Sequence, residues 1–373
     1  MMKPRPQPPF VVGMLVPTGI GAAIGGFAGD ATPYLNLLAS VSDVLITHPN
    51  VANAAVFQRL PENALYVEGY GLDHFMQGLW ALRPVIQNKV GVVLDAGMSP
   101  EMRILHINTI NAVKSVYGVD IIAYTDTEAP IETGLQITPS GCSSGYLRNP
   151  EVVLSACRAL QAQGATAIAL CTLLPDPEAL DHHMEAQYKE GGGVDPIGGI
   201  EAILSHLVVS ELGIPCANAP VFSWEKAMPV TDEILDPRTA AEFIAPTFLP
   251  CVLTGLHRSP ALIPQSNAQS GDLCIDQLSA LVVPANALGG LPVLAALQRQ
   301  IPVIAIENNP TVLAVDATCF EAAPTRRKAC IRHARSYEEA AGMLQAMRLG
   351  LSLTPTAVPE LVARPETGSP VGL

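Results

Sequence analysis

The sequence predicts an α/β protein with doubly wound, mainly parallel sheets of the Rossmann-like type. Hydrophobic residues make up 49% of the 373 residues and charged residues only 15%, as in proteins with heavily buried parallel sheets. Apolar runs recur along the chain without alternating polar residues. Segments that begin with a capping residue and proline separate several of these runs. Strands and helices are therefore expected to alternate almost to the end of the chain.

The predicted strands are short, continuous apolar runs, which we expect to be covered on both faces. In chain order they read VVGMLVP, DVLITHP, ALYVEG, KVGVVLDA, VDIIAYTD, GLQIT, ATAIALCTL, PCVLTG, LSALVVP and PVIAIEN.

Helix starts are predicted where a capping residue precedes proline, because proline suits the first helical turn. A final helix is expected after Ser336, which can form a capping box with Glu339. The capping pairs are Thr32-Pro33, Ser99-Pro100, Asn149-Pro150, Asp176-Pro177 and Asp195-Pro196, and Gly118 and Gly164 end the second and third of these helices.

Residues 10–30 begin with twenty uncharged residues, about the length of a transmembrane helix. Six of the twenty are glycine and Pro17 interrupts the run, so a stable helix is disfavoured. A secretory signal is also disfavoured, because no clear cleavage site follows the apolar segment. We predict a strand at residues 10–16, a glycine-rich loop after it, and no membrane partner.

Composition further limits the function. The net charge is −13 and no large basic cluster occurs, so a nucleic-acid partner is excluded. The eight cysteines are dispersed without a CxxC pair, which is typical of a reducing compartment, and we expect a cytoplasmic protein. No spacing of histidine or cysteine indicates a metal site, and no particular cofactor is predicted.

Two α/β domains are predicted, at residues 9–130 and 131–350, because the segment DTEAPIETG interrupts the alternation of strands and helices. Residues 351–373 show no periodicity and are expected to form a mobile tail. The high apolar fraction is consistent with a homodimer.

Open parallel sheets bind ligands beyond the carboxyl ends of their strands, so the loops there are candidate sites. The first loop contains Gly19, Gly21 and Gly25, whose backbone amides suit an anion. Tight packing of the loop is the alternative. A nicotinamide-binding fingerprint is disfavoured, because Ile24 stands where its third glycine or alanine belongs.

The second loop, PSGCSSGYLRNPE, matches the G-x-S-x-G motif of a nucleophilic serine between Gly141 and Gly145. The next predicted helix begins several residues too late for that motif. We therefore favour an anion site in which Arg148 joins the serine hydroxyls and the glycine amides, with a polar surface turn as the alternative. If the loop is catalytic, the candidates are Ser143 and Ser144 as nucleophiles, with Asp195 and His206 as acid and base.

Two further loops supply candidates. Gly198 and Gly199 lie in a predicted helical turn, where each costs about 1 kcal/mol relative to alanine, so a ligand or a neighbouring helix must approach the backbone. On the same helix His206 has either a structural or a catalytic role. Asn308 follows the strand PVIAIEN, where a carboxamide suits a polar ligand or an ordinary turn.

Five longer motifs occur in order over residues 9–350: VPTGIGAAIGGxAGD, LITHPNVxN, ALYVEGYxLD, GVDPIGGIEAILSHLVV and PCVLTGLxRxP. Together they resemble a conserved protein family of phototrophs known as domain of unknown function three-three-two-six. The resemblance implies a soluble protein of a photosynthetic cell, cytoplasmic or, in a eukaryote, plastid-targeted. It carries over no activity and no functional residue.

The loops together predict a metabolic enzyme that acts on a small anionic metabolite bearing a phosphate or carboxylate, with hydrolase or transferase chemistry favoured. A metabolite-binding regulatory protein without catalytic activity is the alternative. A nicotinamide-dependent oxidoreductase is a weaker one.

Overall fold

A computed structural model of the chain shows two parallel β-sheets with helices packed on them, which confirms the predicted α/β class. The structure describes residues 8–27, 29–53, 60–177, 187–188, 192–224, 234–235, 237–243, 245–321 and 330–351. Residues 352–373 of the predicted tail, and most of the helix expected after Asp176-Pro177, lie outside this part of the chain. Among the described helices, none has the length and apolar character needed to span a membrane.

The larger sheet contains six parallel strands taken from both ends of the chain, in the order β14-β13-β12-β1-β2-β3. Its strands are Val11–Met14 (β1), Val44–Thr47 (β2), Ala64–Tyr66 (β3), Leu278–Pro284 (β12), Val303–Ile306 (β13) and Ile331–Ala334 (β14).

The smaller sheet contains four parallel strands from the middle of the chain, in the order β10-β9-β5-β6. Its strands are Val90–Leu94 (β5), Ile121–Asp126 (β6), Ala167–Leu173 (β9) and Cys216–Val221 (β10). Two antiparallel pairs join Trp80–Arg83 (β4) to Ala261–Pro264 (β11) and Thr133–Ile137 (β7) to Ser143–Leu147 (β8).

The helices begin largely where the proline signals predict them. Ser99 accepts a hydrogen bond from the Met102 amide, and Gly118, with φ +67°, ends that helix. The helices are Thr32–Ser40 (α1), Pro49–Ala52 (α2), Gly69–Gln77 (α3), Pro100–Tyr117 (α4), Pro150–Ala162 (α5), Gly198–Leu212 (α6), Pro237–Phe243 (α7), Leu249–His257 (α8), Leu291–Gln298 (α9) and Tyr337–Arg348 (α10).

Two predicted elements are wrong. PCVLTG lies in α8 rather than in a strand, because Pro250 suits the first turn of a helix and a short, mostly buried apolar run fits either element. The loop predicted around Ser143 contains β8, which pairs with β7 and packs on α6. Its serines and glycines give no apolar signal, so only the partner strand and helix reveal the element.

The two sheets share a hydrophobic core. One cluster of buried side chains includes Met14 and Val282 of the larger sheet together with Val92 and Ala219 of the smaller. The boundary predicted at residue 130 falls within the segment that forms the smaller sheet, because β5 and β6 precede it and β9 and β10 follow it.

Each sheet has one point at which the strand order reverses. In the larger sheet it lies between β1 and β12, and in the smaller sheet between β5 and β9. The loops beyond the carboxyl ends of such strands diverge and leave a crevice, which is where open α/β sheets bind their ligands. The glycine-rich loop after β1 lies at the first of these switch points.

Candidate functional site

The loop after β1 meets the first turn of α6 at the switch point of the larger sheet. A methyl group on Gly198 would lie 2.8 Å from Thr18 Cγ2. The amide of Ser143 donates to the Gly19 carbonyl oxygen at 2.9 Å, and the Ser143 hydroxyl oxygen accepts from the Gly199 amide at 2.7 Å. We define the switch-point site as Thr18, Gly19, Ser143, Asp195, Gly198, Gly199 and Glu201.

The close approach predicted at Gly198 and Gly199 is made by other parts of the chain, by a side chain at Gly198 and by backbone at Gly199. A methyl group on Gly199 would lie 2.5 Å from both the carbonyl carbon and the carbonyl oxygen of Ser143. At Gly198 the neighbour is the side chain of Thr18. These glycines therefore let the glycine-rich loop and β8 pack directly on α6, and their presence needs no ligand to explain it.

The geometry around Ser143 does not support a serine nucleophile. Ser143 begins an antiparallel strand and α5 starts only at Pro150, so the strained strand-to-helix turn of a nucleophile elbow is missing here. His206 lies seven residues after Gly199 on α6, about 10 Å along the helix axis. Among the described residues, Ser143 has no hydrogen bond to a histidine. Ser144, the other predicted nucleophile, follows it in β8 opposite Gln136.

Asp195 occupies the N-terminal end of α6. Its Oδ1 accepts a hydrogen bond from the Ile197 amide at 3.0 Å. Burial raises the pKa of Asp195 to about 6, although hydrogen bonds from the Ile197 and Gly198 amides act to lower it. The amides at the N-terminal end of α6 are thus partnered by a carboxyl group of the chain itself.

Glu201 provides a second desolvated carboxyl group, one turn into α6. Burial raises its pKa well above the ordinary value, and the nearby charge of Asp195 adds to this shift. A hydrogen bond from Asn218 acts in the opposite direction. The environment of Glu201 therefore favours its protonated form, whereas the pKa of Asp195 lies close to the neutral range.

Polar side chains that the sequence analysis missed surround Glu201. The Asn218 amide of β10 donates to Glu201 Oε1 at 3.2 Å, and the Thr172 hydroxyl of β9 donates to Asn218 Oδ1 at 2.8 Å. Glu242 raises the pKa of Glu201 further and accepts a hydrogen bond from Tyr188 at 2.9 Å. The sequence feature that could have identified Asn218 is a single amide side chain within the otherwise apolar segment PCANAPVF.

An aromatic stack joins this network to the glycine-rich loop. The rings of Phe27 and Tyr188 are parallel within 4°, with centroids 4.5 Å apart. The Arg238 guanidinium lies 4.7 Å from the centroid of Phe27 and pairs with Asp30 at 2.9 Å. The far end of the loop is therefore held against the acidic network.

The glycine-rich loop has two parts. Around Gly25 the backbone is fixed by a hydrogen bond, whereas in the other part, as far as the structure describes the chain, the backbone amides donate no hydrogen bond. The Gly25 amide donates to Asp30 Oδ1 at 2.7 Å. Gly19 and Gly21 have φ of +68° and +57° on either side of Ile20, an alternation that turns successive amides to one side, as in an anion-binding nest. In the part of the chain that the structure describes, the amides of residues 19–21 donate no hydrogen bond.

Asn309, rather than the predicted Asn308, is the buried asparagine at the carboxyl end of β13. Asn308 lies exposed in a turn. Asn309 is 0% exposed, and its side chain forms reciprocal 2.8 Å hydrogen bonds with the backbone amide and carbonyl of Ile24. It also donates to the Tyr337 hydroxyl at 3.0 Å. Its role is to clamp the glycine-rich loop.

We expect Asn309→Ala to lower the free energy of unfolding by about 2–3 kcal/mol, because it leaves backbone groups of Ile24 and the Tyr337 hydroxyl without a partner. The matched control Asn308→Ala should change it by less than about 0.5 kcal/mol. Urea unfolding of the two variants measures the difference. An equal loss in both variants would contradict the clamp.

His206 lies further along α6 and joins this helix to α3. Its Nε2 is 2.9 Å from Oε1 of the buried Glu68, whose other oxygen accepts from the Tyr70 amide at 2.8 Å at the start of α3. Burial lowers the pKa of His206, but Glu68 and Asp73 raise it by more, so the net shift is upward. This geometry favours the structural role.

The remaining predicted ligand residues lie outside the switch-point site. Gly141 has φ +83° in the turn between β7 and β8. In β8, a methyl group on Gly145 would lie 2.6 Å from the Gly134 carbonyl oxygen. Arg148 follows β8, and five extended residues place it about 16 Å from Ser143. The predicted convergence of Arg148 with the serine hydroxyl is therefore not formed.

The described residues contain no cluster of three or more His, Cys, Asp or Glu side chains arranged to hold a metal ion.

The name of a cyanobacterial relative contradicts the predicted cytoplasmic location. An uncharacterised lipoprotein of Synechococcus sp. is 39% identical to this chain over 340 residues, which cover 91% of this chain and 90% of the relative. Because that protein is named a lipoprotein, the cytoplasmic location predicted from the sequence is wrong. Dispersed cysteines argue against disulfides but carry no information about attachment through a lipid.

No solved structure matches the chain. A family model described as "Protein of unknown function (DUF3326)" matches residues 11–356, and this match confirms the resemblance that the five motifs indicated. The match covers the glycine-rich loop, β8 and the whole of α6. The chain therefore belongs to the DUF3326 family.

Proposed function

We propose that the chain is a small-molecule enzyme that transfers protons with Asp195 and Glu201 at the switch point of the larger sheet. The observation that carries the proposal is the position of Asp195. A desolvated carboxyl group with a pKa of about 6 stands where the loops of a parallel sheet ordinarily bind a ligand.

Two carboxyl groups with different environments suit acid–base chemistry. A general base works best when its pKa lies near the working pH, which is the case for Asp195. Glu201 is suited to the role of proton donor, because burial and neighbouring carboxylates disfavour its charged form. Hydrolysis and group transfer both commonly use such a proton acceptor and proton donor.

The nest at residues 19–21 supports an anionic substrate. Its amides lie on the loop that contacts Ser143 and Gly198, and they are directed at no described acceptor. A phosphate or carboxylate bound there would neutralise the partial positive charge of the amides. The substrate of the proposed enzyme is therefore a small metabolite with one such group.

A ligand screen followed by a turnover assay tests the proposal. We expect a phosphorylated or carboxylated metabolite to raise the melting temperature of the full chain, since a ligand at about 100 times its Kd adds about 2.7 kcal/mol of stability. Proton NMR should then show that the chain converts this compound over time. Asp195→Asn should still bind it but convert it at least about 100-fold more slowly.

Asp276→Asn is the matched control, because the Asp276 side chain is 85% exposed and lies outside the site. It should convert the compound at the rate of the unaltered chain. Equal conversion by Asp195→Asn, or no ligand among these compounds, would contradict the proposal. Binding without any conversion by the unaltered chain would replace the enzyme with a metabolite-binding regulatory protein.

A further inference from the structure

A second cleft lies at the switch point of the smaller sheet and is not used by the proposed enzyme function. Its volume is about 350 Å³. One wall is apolar and consists of Leu173, Leu174 and Pro175, which end β9 and follow it, together with Ile131 before β7. A cleft at this place in an open parallel sheet is a ligand position by topology.

The two chain segments that form the apolar wall of this cleft are held together by a buried carboxylate. Asp95 is 1% exposed and follows β5 directly. It accepts hydrogen bonds from the amides of Ile131 at 3.1 Å and Leu173 at 3.0 Å, both of which line the cleft. A carboxylate that fixes both segments of this wall makes the wall preformed, as binding sites for small molecules usually are.

Two opposite charges line the same cleft. Glu132 and Arg148 are direct neighbours across the β7–β8 pair, because the Arg148 amide donates to the Glu132 carbonyl oxygen at 2.9 Å. The Arg148 guanidinium lies over the ring of Tyr146, 5.2 Å from its centroid, rather than on the Glu132 carboxylate. Within the described residues, neither charged side chain has an ion pair.

We propose that this cleft binds an apolar α-amino acid. The ligand carboxylate pairs with the Arg148 guanidinium, whose paired N–H donors match carboxylate geometry. The ligand ammonium group pairs with Glu132, and the apolar side chain lies against Leu174 and its neighbours. A zwitterion satisfies both charges of the cleft, whereas a simple anion leaves Glu132 facing a like charge.

Calorimetric titration of the full chain with L-leucine tests the site. We expect measurable binding to the unaltered chain, and a loss of about tenfold or more in each of the variants Arg148→Gln and Glu132→Gln. Arg158→Gln is the matched control, because Arg158 lies on α5 in an exposed pair with Glu151. Its affinity for leucine should equal that of the unaltered chain.

Two leucine derivatives test the pair with Glu132 and the pair with Arg148 separately, because each derivative lacks one charged group. N-acetyl-L-leucine lacks the ammonium group, so Glu132→Gln should not weaken its binding further, whereas Arg148→Gln should. L-leucinamide lacks the carboxylate, so Arg148→Gln should not weaken its binding further, whereas Glu132→Gln should. Asp195→Asn should bind leucine normally, which separates this proposal from the proposed enzyme function.

Three results would overturn the proposal. In the first, the folded chain does not bind L-leucine, as expected if Glu132 and Arg148 merely neutralise each other in solution. In the second, both variants bind leucine as tightly as the unaltered chain. In the third, N-acetyl-L-leucine binds as well as leucine, which would make the cleft a site for simple anions.

Discussion

Gly199→Ala is expected to lower the free energy of unfolding by about 3 kcal/mol or more. The added methyl group would lie 2.5 Å from the carbonyl carbon and oxygen of Ser143, and both are backbone atoms that cannot rotate away. Accommodating it requires β8 to move off α6, which also breaks the hydrogen bond from the Gly199 amide to Ser143. Denaturant unfolding measures the loss.

Gly342→Ala is the matched control for this substitution. Gly342 also lies within a helix, α10, but a methyl group there would have no neighbouring atom within 4 Å. Alanine should therefore stabilise the chain by up to about 1 kcal/mol, through helix propensity alone. Similar effects at Gly199 and Gly342 would show that β8 does not pack on α6 as described.

Asp195→Asn should change how stability depends on pH. The pKa of Asp195 is raised by burial to about 6, from an ordinary value of 3.8, so folding disfavours its charged form. No penalty exists below about pH 4, where the group is protonated in both states. The penalty grows as pH rises through about 6, and a shift of this size corresponds to about 3 kcal/mol.

The variant removes this penalty, so its stability relative to the unaltered chain should increase by up to about 3 kcal/mol between about pH 4 and pH 7. Asp272→Asn is the control. A hydrogen bond from Arg83 holds the pKa of Asp272 at about 2, so its effect should stay constant over this pH range. A constant difference for Asp195→Asn as well would mean that Asp195 is solvated like a surface carboxylate.

Many buried strands were predicted because they are long apolar runs, although β10, which is buried along its whole length, was not among them. β5, β9 and β12 were predicted in place, because parallel strands covered on both faces contain few polar residues. β8 was missed because its side chains are small or polar and its position depends on β7 and α6. PCVLTG was misassigned because a short apolar run has no period that separates a helix from a strand.

The candidate site could be predicted only in part, since its residues come from distant segments. Loop position and capping signals placed Gly19, Ser143 and Asp195 among the candidates, and the structure brings these three together. Asn308 was named as a candidate ligand residue and the clamp at Asn309 was not predicted, because two consecutive asparagines give the same local signal. Only the burial of Asn309 against Ile24 distinguishes them.

Arg148 shows that residues close together in the sequence need not be close together in the fold. Its sequence neighbours suggested one anion site with Ser143, but an extended strand separates the two residues. Whether a segment of five residues is a turn or a strand decides whether its ends meet, and that depends on contacts outside the segment.

The most direct test of the central claim is the pKa of Asp195 itself. Carboxyl ¹³C NMR of the full chain with labelled aspartate would follow each resonance through a pH titration, and Asp195→Asn would identify the resonance of Asp195 by its loss. Our account predicts that this resonance titrates near pH 6. A midpoint near 3.8, the ordinary value for aspartate, would contradict it, because the switch-point site would then lack a group suited to proton transfer near neutral pH.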